Sequence, residues 1–198
     1  MDRRAFIQKT IALIASGFFA DLLAFMPMVQ AKGKTIVCPN IKETYLKFVL
    51  PLENRLQTDF IVLHHIGESN EDFSAAEIHR WHINNGWAGI GYHFVIRKNG
   101  TIERGRPIDT IGAHCYGYNK RSVGINVVGD FEKDFPTNDQ LRSAVQLTAY
   151  LCQLYRLNPF GDEVILGHCD LNNTLCPGKN FYSELHDFRT KTQKVFKT

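Results

Sequence analysis

Phe60-Ile61-Val62-Leu63-His64-His65 is the stretch on which the fold turns. An unbroken apolar run leads into two histidines. It is too short for a helix and lacks the alternation of a half-exposed strand, so it predicts a strand buried on both faces at the centre of a sheet. Strand side chains alternate between faces, so only one of His64 and His65 is expected to point into any one site. Downstream, Ser74-Ala75-Ala76-Glu77 forms a capping box, followed at helical spacing by Ile78, Trp81 and His82. Asn84-Asn85-Gly86 is a natural stop for that helix. Tyr92–Ile96 and Thr101–Arg104 flank Asn99-Gly100, a hairpin signal, and Val123–Val128 reads as a second buried strand. Thr137-Asn138-Asp139-Gln140 is a second capping box. The long helix it opens has Leu141, Ala144, Val145, Thr148, Leu151, Cys152 and Tyr155 on its apolar face. A short strand, Val164-Ile165-Leu166, delivers the chain to His168, and an amphipathic helix closes it from near Phe181. Strands alternate with helices, so the expected class is α/β (mixed α+β). A central mixed sheet flanked by helices forms one domain over residues 58–198, preceded by a lead-in of weak periodicity over 32–57 that Pro39 and Pro51 interrupt.

The chemistry concentrates in His168-Cys169-Asp170-Leu171-Asn172-Asn173-Thr174-Leu175-Cys176-Pro177. One loop carries an imidazole and a thiol, and Pro177-Gly178 then turns the chain away. A histidine at a strand end is ordinarily a satisfied core residue, and a loop histidine and half a disulfide is the lesser alternative for His168 with Cys176 alone. The strand histidine, His168 and Cys176 together form a three-ligand set of the kind zinc accepts. Three protein ligands leave the fourth position open to water, the catalytic arrangement, whereas structural zinc is closed by four. Mixed nitrogen and sulfur donors favour zinc over other divalent ions. The spacing suits a hydrolase with one zinc per chain, set in a cleft.

Composition bounds the alternatives. An apolar share of 44% and a charged share of 22% are ordinary for a soluble globular domain. The net charge of +3 is too near neutral to argue for nucleic acid, and no basic run is interleaved with aromatics, so no nucleic-acid partner is expected. Residues 1–31 have the layout of an export signal: Arg3-Arg4, an apolar run from Ile11 to Met28, and a small-residue exit at Val29-Gln30-Ala31. Arg3-Arg4-Ala5-Phe6-Ile7 resembles the twin-arginine motif. An uncleaved anchor helix is the alternative, and Gly17, Asp21 and the short exit argue for cleavage. The mature chain is therefore expected in the periplasm or outside the cell, a monomer without membrane contact after cleavage. An oxidising compartment permits disulfides, and with Cys176 set aside four cysteines remain: Cys38, Cys115, Cys152 and Cys169.

Across roughly residues 58–188 the chain resembles the zinc amidase domain shared by peptidoglycan recognition proteins and phage-lysozyme-type N-acetylmuramoyl-L-alanine amidases. The likeness rests on Leu63-His64-His65, Trp87, Gly91-Tyr92-His93-Phe94, Gly112-Ala113-His114, Gly117-Tyr118-Asn119, Ser122-Val123-Gly124-Ile125 and Gly167-His168 through Cys176-Pro177-Gly178, in the family's order and spacing. It implies that His64, His168 and Cys176 hold zinc, since the first histidine of the family's pair is the usual ligand. Tyr92 matches the family's catalytic tyrosine. Thr174 falls where phage-type amidases carry a catalytic lysine and where recognition proteins that retain activity carry threonine. It stands as a second catalytic candidate, donating a hydrogen bond to an oxyanion. His65, His114, Tyr118 and Asn119 are implied to line the groove for glycan and stem peptide. Trp87 either stacks on a sugar or fills the core, with the core favoured. Asp170 is expected to orient the loop backbone or a ligand histidine, and Asp109, Arg97 and Arg104 to meet stem-peptide charges or solvent. Asn126 and Cys176 replace a glutamate and an aspartate of the cytosolic anhydro-muropeptide amidases, which places the chain in the recognition-protein branch. The implied activity is hydrolysis of the amide between the lactyl group of N-acetylmuramic acid and L-alanine, with peptidoglycan or a muropeptide as partner. The alternative is a recognition module that binds without cutting; such relatives usually lose the thiol ligand, often to serine.

Overall fold

The computed structural model describes residues 35–67 and 69–197, so the leader read over 1–31 lies outside the described residues. Six strands form one sheet in the order β1-β4-β3-β5-β2-β6: β1 is Ile41–Lys42, β2 Phe60–His65, β3 Phe94–Ile96, β4 Ile102–Arg104, β5 Ser122–Val127 and β6 Ile165–Gly167. The sheet is mixed. Only β3 and β4 pair antiparallel, through the hairpin whose turn places Gly100 at φ +81°. The apolar run β2 lies between β5 and β6, parallel to both, with all six of its residues buried.

Side-chain alternation gives the sheet two unlike faces. Ile61, Leu63, Phe94, Ile96, Val123, Ile125 and Val127 point to the main core. The helices that complete it are α2 (Asn138–Leu154), through Ala144, Leu147 and Leu151, and α4 (Leu185–Lys197), through Phe188. Each such aliphatic side chain removed from water contributes about 1.5–3 kcal/mol. The opposite face carries Val95 and Val128 under α1 (Ala75–Asn84), whose Ala75 and Ile78 join Ile90 in a smaller cluster. Both expected capping boxes are formed. Ser74 and Thr137 accept the N3 backbone N–H, while Glu77 and Gln140 reach back.

Three details differ from the sequence expectation. The lead-in contributes to the sheet, with Ile41 and Lys42 paired parallel to Ile102 and Glu103, a strand too short for alternation to reveal. In α1 the buried residues are Ala75, Ile78 and His79, whereas Trp81 lies at the rim against Phe73 with ring centroids 4.6 Å apart. The closing helix is two pieces, α3 (Lys179–Ser183) and α4. All five cysteines are free thiols. Among the described residues no helix is long and apolar enough to cross a membrane.

Candidate functional site

The sheet assembles the site by register. In the parallel ladders His64 of β2 lies opposite Asn126 of β5, and Leu63 lies opposite Gly167 of β6. His168, the next residue after β6, therefore comes alongside His64, and Asn126, His64 and His168 form one row across three strands. Alternation then separates the histidine pair. The His65 ring stacks on Phe131 at 6.0 Å, its Nδ1 accepting the Phe131 N–H at 3.1 Å. The His64 ring faces His168, with centroids 4.6 Å apart. Cys176 returns on the loop, which is clamped by a 2.8 Å hydrogen bond from the Cys169 N–H to the Cys176 carbonyl. One ligand atom each from His64, His168 and Cys176 lies within 4.8 Å of the others.

The hydrogen bonds fix which atoms are available. His168 Nε2 lies 3.0 Å from Asn172 Oδ1, which only accepts, so Nε2 carries the hydrogen and Nδ1 keeps its lone pair. His64 Nδ1 is 3.5 Å from Cys176 Sγ, and its Nε2 is 3.0 Å from His114 Nδ1. With Nδ1 as the ligand atom, His64 donates through Nε2 to His114. Zinc–sulfur and zinc–nitrogen bonds of ordinary length at a tetrahedral angle place sulfur and nitrogen about 3.6 Å apart, so the His64–Cys176 edge suits that ion. The third candidate ligand is supported too: the His65 backbone N–H points at Cys176 Sγ at 3.4 Å.

Electrostatics agree with a cation site. Burial, then the neighbouring His168, His65 and His93, holds His64 well below the usual imidazole range, and burial also lowers His168. Burial pushes the Cys176 thiol up to about 12, with the His65 N–H opposing. On their own, then, the three groups are two neutral imidazoles and a neutral thiol, lone-pair donors with no competing cation. Tyr92 sits 5.2 Å from His64 by ring centroids. Burial and then the nearby Cys176 raise its hydroxyl far above the ordinary phenol value, against the pull of the Asn126 amide, so it remains a hydrogen-bond donor.

A cleft of about 540 Å³ opens beside the triad, lined by Trp87, His114, Tyr116, Asn119, His168 and Thr174 among others. The structure spreads the expected groove residues over different tasks. The His114 side chain is buried and engaged with His64, and a Cβ at Gly112 or Gly124 would stand within 2.5 Å of its ring. Asn119 Oδ1 accepts the N–H groups of His114 and Cys115 at 2.8 and 2.9 Å, pinning the loop. Tyr118 packs edge-on to Phe60 at 6.1 Å. Thr174 Oγ1 accepts the Cys176 N–H at 3.2 Å, leaving its hydroxyl hydrogen free to point into the cleft. Trp87 is 44% exposed and packs on His82 at 4.6 Å, at the cleft wall rather than in the core. Asp170 orients the loop: it accepts the Gly167 N–H at 2.8 Å and the Tyr182 hydroxyl. Arg97 is occupied by Asp72 and Glu103, and Arg104 by Glu43.

Asn172 escaped the sequence reading although it braces His168 and accepts the Cys115 thiol at 3.1 Å. Its available signal was an amide four residues after a loop histidine.

The family model described as N-acetylmuramoyl-L-alanine amidase matches residues 54–179. The endolysin of Enterobacteria phage K11 is 38% identical over 112 residues, 56% of this chain and 73% of that one. Peptidoglycan-recognition protein LE of Drosophila melanogaster is 32% identical over 142 residues, 68% of this chain and 41% of that one. Among solved structures, the endolysin amidase LysCS of Clostridium intestinale superposes with a TM-score of 0.73 at 35% identity, over 80% of this chain and 98% of that one. Peptidoglycan recognition protein LE in complex with tracheal cytotoxin, a monomeric diaminopimelic acid-type peptidoglycan, gives 0.63 at 29%, over 74% and 92%.

Proposed function

The chain belongs to the N-acetylmuramoyl-L-alanine amidase family, and from that premise we propose that it is a zinc-dependent amidase. Its substrate is the amide joining the lactyl group of N-acetylmuramic acid to the L-alanine of the stem peptide, in peptidoglycan or a soluble muropeptide. It works as an exported monomer, in the periplasm or outside the cell. One observation supports this above the rest: His64, His168 and Cys176, from two strand ends and a loop, converge at the wall of an open cleft with Tyr92 adjacent.

The donor set fits zinc in kind, and each ligand is oriented by a further group: His114, Asn172 and the His65 N–H. Zinc, when bound, supplies positive charge that polarises a carbonyl and acidifies water. The remaining work falls to the chain. Tyr92 holds its hydrogen through neutral pH and presents it to the acyl oxygen, where negative charge gathers as the carbonyl carbon becomes tetrahedral. Thr174, its oxygen tied to the Cys176 N–H, offers a second hydroxyl hydrogen to the same oxygen. The cleft wall at Trp87 and Tyr116 receives the glycan and stem peptide, excluding water from one side of the bond.

The test incubates the zinc-loaded full chain with purified peptidoglycan and looks by mass spectrometry for stem peptides with a free L-alanine amino terminus, with His168→Ala as control. Release by the parent alone supports the proposal. Intact glycopeptides, from protein that holds zinc and sediments with sacculi, would make it a recognition module.

A further inference from the structure

Asn126 is a group that the proposed chemistry leaves unused. It is fully buried on β5, opposite His64 on one side and Val95 of β3 on the other. Strand partners in register share a face, so its side chain belongs to the His64 side of the sheet rather than the main core. Along that side β5 reads Ser122, Gly124, Asn126. Ser122 lies 3.5 Å from His114, Gly124 makes room for the His114 ring, and Asn126 comes last, opposite His64, whose ring lies 5.2 Å from that of Tyr92. Every other polar side chain in this row is paired. The Asn126 Nδ2 and Oδ1 atoms are both buried with no hydrogen-bond partner. A strand interior does not keep an unpaired carboxamide without penalty, since both its donor and its acceptor have been stripped of water.

The Tyr92 hydroxyl is the polar group that registers this amide. A carboxamide neither gives nor takes a proton near neutral pH, so what it offers is orientation. We propose that Asn126 is the positioning residue for Tyr92. Its Nδ2–H is directed at the phenol oxygen, which leaves the Tyr92 hydrogen pointing at the acyl oxygen of the substrate. The Asn126 amide has no partner here, and the bond closes when the site is loaded. This rests on the amidase reading of the same site and assigns the residue that aims its hydroxyl.

The experiment is a double-mutant cycle on the zinc-loaded full chain, with a defined muropeptide as substrate. Asn126→Ala lowers kcat on the order of 10- to 100-fold, with KM, zinc stoichiometry and the circular-dichroism spectrum unchanged. In a Tyr92→Phe background the same substitution costs less than twofold, because there is no hydroxyl left to aim. Asn126→Leu, which fills the volume without a donor, behaves as Asn126→Ala; Asn126→Ser, which restores a donor, recovers part of kcat. An equal loss in both backgrounds, or a loss that follows zinc content, overturns the proposal. A crystal structure of the zinc-loaded parent decides independently of rate. Asn126 Nδ2 within about 3.2 Å of the Tyr92 hydroxyl supports it, and an amide turned to another partner overturns it. A parent without amidase activity defeats the amidase reading instead, and the crystal structure still reads the Asn126–Tyr92 pair.

Discussion

The two faces of β2 and β5 are made from the same twelve residues, yet they are different materials. One face carries Ile61, Leu63, Val123, Ile125 and Val127, sealed under α2 and α4. The other carries His64, Ser122, Gly124 and Asn126, with His114 and Tyr92 laid against them. The first face gains its energy from area and shape, and best tolerates apolar residues that conserve its volume. The second gathers imidazoles, hydroxyls and an amide whose pairing must be right atom by atom, at a cost in solvation that the first face offsets. One strand thus separates stability from chemistry by the width of its own backbone.

Substitutions can break this division or sharpen it. The largest effect is expected from Cys176→Ser: turnover is abolished and zinc retention falls, while the thermal melt of the metal-free protein stays near that of the parent. Full activity in this variant would remove the thiol from the site. Tyr92→Phe follows, with kcat reduced about 100- to 1,000-fold at unchanged zinc content, as for loss of an oxyanion donor; steady-state kinetics on a soluble muropeptide would show it. Ile125→Ala probes the other face and costs about 2–5 kcal/mol in urea unfolding, with zinc per folded molecule unchanged. Loss of zinc at equal stability would mean the faces are not separable.

His114→Ala touches no metal, yet it removes the acceptor of His64. A 10- to 100-fold weakening of zinc affinity is expected in competition with a chelator. The smallest change concerns pH. The Cys176 thiol is pushed up to about 12, so it is protonated through the neutral range and must lose its proton when a cation binds. Rising pH therefore favours binding, and the zinc dissociation constant should tighten up to about tenfold per pH unit from 7 to 8. Calorimetry in buffers of differing ionisation enthalpy would count the proton, and a flat profile would show a thiolate already present.

Much of the sheet was legible because β2 and β5 are apolar runs of strand length and both capping boxes announce their helices. The cluster of His64, His168 and Cys176 was legible through its chemistry as a group that could hold a metal, and period-two alternation anticipated that His64 and His65 would part. What escaped was set by three-dimensional neighbours. His114 and Asn119 line the cleft, but the sequence did not show that the His114 ring also meets His64 or that Asn119 also holds two loop N–H groups. The edge strand Ile41–Lys42 is too short to carry a pattern, and the exposure of Trp87 depends on a cleft that forms only when distant loops meet.

The cradle around His114 carries a further consequence. A methyl group at position 112 or 124 would overlap that ring, displace the acceptor of the His64 hydrogen and loosen a ligand it never touches. Two residues without a functional group therefore inherit the intolerance of the candidate site. In a map of permitted substitutions, Gly112 and Gly124 should stand as forbidding as His64, His168 and Cys176, because what they contribute to the candidate site is room.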